Sequence, residues 1–145
     1  MGLVIYANDD NCDIWQGSYR SFQKFRRMVA MFLGLKEYLK DCEWESDHSL
    51  AGINGDKFTT IKKQEEELKH FEEKYPGTLS FFAHSDCEGE WKADECKKIG
   101  GLLKIIISNF SDTNTVFIKN IKEEINQVIK GLEYCSENDQ IALFC

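Results

Sequence analysis

His84, Asp86, Cys87, Glu88 and Glu90 all fall between His84 and Trp91, an unusual density of reactive side chains for one loop. In extended backbone, His84 and Asp86 share one side. With Glu88 they can hold a divalent metal through imidazole nitrogen and carboxylate oxygens. Without a metal, His84 and Asp86 form an acid–base pair, the carboxylate orienting the imidazole. Cys87 becomes a nucleophile if His84 takes its proton. The plainer reading is structural. Asp86 can turn the backbone, and Glu88 and Glu90 precede a helix whose dipole favours negative charge at its start. Nothing in the sequence predicts the depressed pKa that a catalytic cysteine needs.

A second group runs from Ser18 to Arg27. A helix starting here offers free backbone N–H groups and a positive dipole end, so Ser18, Tyr19 and Arg20 can receive a phosphate or carboxylate. Ordinary capping by Ser18 is the simpler use, and no Gly-rich phosphate loop precedes it. Arg26 is the sharper feature. At 100° per residue it lies on the same face as Phe22, Phe25, Val29, Phe32 and Leu33, while Arg20, Lys24 and Arg27 lie on the wet face. A guanidinium on an apolar face calls for a carboxylate or carbonyl partner, and Asp86 is a candidate that would join the two groups into one site.

The elements around these groups follow from periodicity. Leu3 to Ala7 reads as a buried strand, and Asn8 to Asp13 as an acidic turn. Asp9, Asp10 and Asp13 lack the glycine and terminal glutamate of a calcium loop. A helix runs from Ser18 to about Gly34, with a shorter one from Leu35 to Leu39. An acidic connection with an Asn54-Gly55 turn covers 41–56, and a charged helix covers Thr60 to Tyr75 with Ile61, Leu68 and Phe71 as a thin stripe. Leu79 to Phe82 reads as a second strand leading into the His84 loop. A helix from Ala93 carries Cys96, Ile99, Leu103 and Ile106, with Gly100-Gly101 marking a break or a close approach. The last helix, about Thr115 to Tyr134, has the clearest amphipathic pattern, and Gln140 to Cys145 reads as a terminal strand able to pair with the first. The expectation is an α+β fold, mainly helical, as one domain over 1–145 with a possible insertion at 41–75. A small sheet joins its N- and C-terminal strands.

Composition limits the function. A 145-residue chain with 42% apolar residues and one proline can build its own core. Its net charge of −7 argues against a general nucleic-acid binder and permits a basic protein partner. The start lacks a basic n-region, Tyr6 fails the myristoylation pattern, and no apolar run reaches membrane-spanning length. The six cysteines show no zinc spacing and read as free thiols, so the expected location is the cytoplasm. His48 and His70 read as incidental.

Met1-Gly2-Leu3, Ser18-Tyr19 through Phe22, Phe25 and Arg26-Arg27, the His84-Ser85-Asp86-Cys87-Glu88-Gly89 loop and Glu95-Cys96 together resemble a group of small bacterial and phage-type proteins. About half the chain takes part. The resemblance implies that the two groups belong together and implies no activity. The leading expectation is a non-enzymatic binding protein of immunity or anti-defence inhibitor type, acting through an acidic surface and a polar pocket. The alternatives are a binder of a small anionic ligand such as a nucleotide, using Ser18, Tyr19, Arg20, Arg26, His84 and Asp86, and a hydrolase using His84 and Asp86. No HExxH, GxSxG or Walker motif supports the last. No cofactor is expected, with a divalent metal the one possibility.

Overall fold

The computed structural model describes residues 2–39, 57–84, 89–109 and 116–145. The whole acidic connection over 41–56, with its Asn54-Gly55 turn, lies outside these, as do Asp86, Cys87 and Glu88. Four strands, β1 (Gly2–Ala7), β2 (Asp13–Ser18), β3 (Gly89–Trp91) and β4 (Ala142–Phe144), form one antiparallel sheet in the order β2-β1-β4-β3. Five labelled helices accompany it: α1 (Tyr19–Leu33), α2 (Lys57–Lys74), α3 (Thr78–Phe82), α4 (Ala93–Ser108) and α5 (Val116–Glu137). The fold is α+β and mainly helical.

The two ends of the chain meet as their apolar runs suggest. β1 pairs with β4, and Val4 and Cys145 exchange backbone hydrogen bonds of 2.9 Å. β1 alternates, burying Leu3, Ile5 and Ala7 on one face.

Two expectations are corrected. Phe32, on the apolar face of α1 by its spacing in the sequence, is 48% exposed. Leu79 to Phe82 is helical, inside α3, not a strand. Its first turn is held by Glu72, whose carboxylate accepts from the N–H groups of Gly77 and Leu79 at 2.9–3.1 Å. A short apolar run does not distinguish a strand from a buried helical turn, and this cap from another helix decides it. Sequence reading missed two strands, β3 at the end of what read as the polar His84 loop, and β2. A bulge opposite Ile5 and Tyr6 lets Ile14 and Trp15 both point inward, which breaks the alternation a strand normally shows. Of the two readings of Gly100-Gly101, a break and a close approach, the second holds, and α4 runs through unbroken. Gly100 is buried, and a Cβ there would lie 3.8 Å from Leu132 of α5, so it marks close packing; Gly101 faces open space.

α4 and α5 form the largest helix pair. Cys96, Ile99, Leu103 and Ile106 face Ile121, Ile125, Val128 and Leu132 within one core cluster. α2 joins that cluster through Leu68, and its Glu67 caps the helical turn at 36–39 by accepting from Glu37 and Tyr38 N–H. Thus two glutamates of a weakly amphipathic helix dock it by satisfying helix N-termini elsewhere.

Candidate functional site

α1 has two faces with different tasks. Ser18 is its N-cap: Oγ accepts from Ser21 N–H at 3.0 Å and lies 2.8 Å from Ser21 Oγ. Gly34, with φ +82°, closes the helix in the left-handed conformation that glycine adopts freely. The inner face buries Phe22, Phe25, Val29, Ala30 and Arg26.

Arg26 is only 3% exposed. Its guanidinium carbon lies 4.6 Å from the Phe22 ring centre and 5.9 Å from that of Phe81. The flat guanidinium therefore spreads over aromatic faces, which attract cations. Asp86, the partner suggested by sequence, lies outside the described residues.

His84 reaches the same aromatic cluster from the β3–β4 side. Its ring centre is 4.2 Å from Phe144 and 5.6 Å from Trp91, and Nε2 lies 3.1 Å from the Glu90 carbonyl. Phe22 meets Phe144 at 6.0 Å, and Phe81 meets Trp91 at 6.0 Å. Trp91 is fixed by donating from Nε1 to the Ser80 carbonyl at 3.0 Å. Gly89 has φ +106°, and a Cβ there would lie 3.0 Å from His84 Nε2, so the imidazole lies against bare backbone. The helix segment carrying Arg26 and the loop beginning at His84 thus share one packed aromatic cluster.

Of the four described thiols, Cys145 is exposed, Cys12 half-buried, and Cys96 and Cys135 are closed to solvent. Cys96 is pushed far up by its hydrogen bond with Cys135 and by burial, and the same bond pulls Cys135 down. The Cys96 thiol also donates to the Trp91 carbonyl at 3.7 Å. Burial raises Cys12, helped by Cys135 and the nearby Asp13 and Asp9 charges. Among the described residues no group of three or more His, Cys, Asp and Glu side chains is placed to hold a metal ion. Asp9 instead accepts from the Tyr134 hydroxyl, which lowers its own pKa and raises that of Tyr134.

The outer face of α1 is open to solvent. Arg20, Lys24, Arg27 and Met31 are all exposed, and Met31 is 64% so. Spaced four, three and four residues apart, they fall within a wedge of about 60° on the helix. No acidic residue occurs anywhere in α1, and among the described residues no ion pair involves Arg20, Lys24 or Arg27. Tyr19 is half-buried and packs on the core beside Arg20. Of the residues singled out from sequence, Arg20 and Tyr19 lie at this face, Ser18 caps it, and Arg26 and His84 sit beneath the helix in the aromatic cluster. Sequence reading placed Lys24 and Arg27 in water without giving them a role. The signal was the run of four cations with no anion in a chain of net charge −7.

No protein-family model matches the chain, and no curated protein sequence or solved structure matches it either. No described helix is long and apolar enough to cross a membrane.

Proposed function

We propose that this is a non-enzymatic binding protein that recognises an anionic partner through Arg20, Lys24 and Arg27 on the outer face of α1. The observation carrying this reading is charge segregation. The helix holds four cations, three exposed and without an ion pair among the described residues, while the rest of the chain carries the acidic excess. Like-charged neighbours on one stripe repel each other, so a bound anion relieves the repulsion and gains attraction at once. The inner face of the same helix is anchored by Arg26 and Phe22, so the stripe is displayed on a rigid element. No cofactor enters this reading. An immunity-type or anti-defence inhibitor would use such a face to dock on its target.

The test is an NMR titration with inorganic tripolyphosphate at low salt. Shift changes confined to α1, fading as salt shortens the range of electrostatic attraction, are expected. Absence of shifts at α1, or equal shifts over the whole surface, would overturn the reading.

A second reading takes its cue from the remaining acidic surface and makes the partner basic. It predicts that oligolysine, not tripolyphosphate, perturbs the spectrum.

A further inference from the structure

We infer that Cys96 and Cys135 form a modification site, a buried thiol pair that a hydroperoxide converts into a disulfide joining α4 to α5. The seam between the two helices carries the inference. Cys96 lies in the first turn of α4 and Cys135 in the last turn of α5, and the two thiols are hydrogen-bonded across the seam. One turn further along, a Cβ added at Gly100 would lie 3.8 Å from Leu132 Cβ. Disulfides hold their Cβ atoms about 3.8 Å apart, so the helices approach here as closely as such a bond requires. Cys96 stands four residues before Gly100 and Cys135 three after Leu132, which puts each on the same facing row as its glycine or leucine. The sheet holds Cys96 from the other side. Its Sγ is 3.7 Å from the carbonyl of Trp91, the residue of β3 that pairs with Ala142 of β4.

A single buried cysteine serves as a small apolar side chain; two in contact across a helix seam have a reaction open to them. The hydrogen bond from Cys96 holds Cys135 below the ordinary thiol range, so the reactive thiolate forms more readily there. Both thiols are closed to solvent, and the reagent enters when a helix end frays, because terminal turns open at lower cost than helix centres. The Cys135 thiolate attacks one oxygen of the hydroperoxide. The O–O bond breaks, the second oxygen leaves as alcohol or water with the proton Cys135 gave up, and Cys135 becomes a sulfenic acid. As the helix end recloses, the Cys96 sulfur attacks the Cys135 sulfur. The S–O bond breaks, and the hydroxyl leaves as water with the Cys96 proton. The two thiols lose two electrons and the peroxide gains them. Cys12 is the competing thiol, half-buried and near enough to Cys135 to feel its charge.

The experiment uses the full chain carrying Cys42→Ser, Cys87→Ser and Cys145→Ser, which keeps Cys12, Cys96 and Cys135. The folded, reduced protein is treated with hydrogen peroxide, its remaining thiols are alkylated in denaturant, and it is cleaved with trypsin without reduction. Cleavage after lysine and arginine puts the three cysteines in separate peptides, 1–20, 93–97 and 131–145. The expected product is 93–97 joined to 131–145 and released by dithiothreitol. Its melting temperature should rise by several degrees on oxidation and return on reduction, because the bridge restricts the unfolded chain. Cys96→Ala in the same background should show no such reversible rise, whatever its own starting stability. Alkylated Cys96 and Cys135 after a treatment that oxidises Cys12 would overturn the inference. So would 1–20 joined to 131–145, a 93–97 link that forms only in urea, or an equal reversible rise in the Cys96→Ala chain.

Discussion

Arg26 and Arg27 are adjacent on one helix, and their surroundings differ completely. Arg26 is turned inward and lies over Phe22 and Phe81; Arg27 faces solvent in line with Arg20 and Lys24. A rotation of 100° separates a cation that fixes the fold from one that remains free to meet a partner. The comparison teaches that charge in this protein is assigned by face. Inside, a guanidinium is tolerated because aromatic rings and its own aliphatic stem supply contacts. Outside, three cations are left together without an acidic neighbour on their helix.

The largest expected effect comes from the inner face. Arg26→Ala removes the contacts with Phe22 and Phe81 and opens space in the core, and should cost about 2–4 kcal/mol in urea unfolding. Arg27→Ala should change stability by less than about 0.5 kcal/mol, as substitutions on an open surface do. Similar losses for the two would erase the distinction between the faces.

A second contrast lies in α4 and α5. Gly131 of α5 is pressed against β2, and an added Cβ would sit 2.6 Å from Ile14 Cγ1 and 2.9 Å from its Cα. Gly131→Ala should therefore destabilise by about 1–3 kcal/mol, although alanine is the better helix former. Gly101→Ala, where nothing lies within 4 Å, should stabilise by about 0.5–1 kcal/mol. Thermal unfolding of the two variants reads both signs.

Much of this division was legible in the residues. The 100° periodicity of α1 gives both its faces, Ser18 and Gly34 give its ends, and the apolar runs at Leu3 and Ala142 give the strands that join the termini. β2 was hidden because its bulge buries Ile14 and Trp15 consecutively, so no alternation appears. α3 was hidden because its helical turn depends on Glu72, seven residues before Leu79 and on a different helix. In the candidate site, sequence showed that Arg26 belongs inside. It did not show that a second aromatic ring lies over its position, because Phe81 reaches it only through the tertiary fold.

Smaller effects sharpen the picture further. Ser18→Ala removes the cap of Ser21 N–H and should cost about 1 kcal/mol. It should leave the binding stripe in place, which a titration of the variant will show. Between the β1–β2 turn and α5, the Tyr134 hydroxyl donates to Asp9 and moves the two groups apart from their ordinary values of 3.8 and 10.0, Asp9 downward and Tyr134 upward. The lowered Asp9 contributes stability that is complete above its ordinary value and lost as pH falls through its folded value. The raised Tyr134 contributes stability that is complete below its ordinary value and lost as pH rises through its folded value. Tyr134→Phe should flatten both wings of the stability–pH curve and return the Asp9 titration, followed by NMR, toward its ordinary range.

The most direct measurement is the tripolyphosphate titration of the wild-type chain beside the triple variant R20A/K24A/R27A, with urea unfolding of the same samples. The account predicts that the variant loses the α1 shift changes while its unfolding midpoint stays close to that of the wild type. Undiminished binding by the variant would contradict the assignment of the outer face of α1. Loss of binding together with loss of the fold would contradict the separation of the two faces.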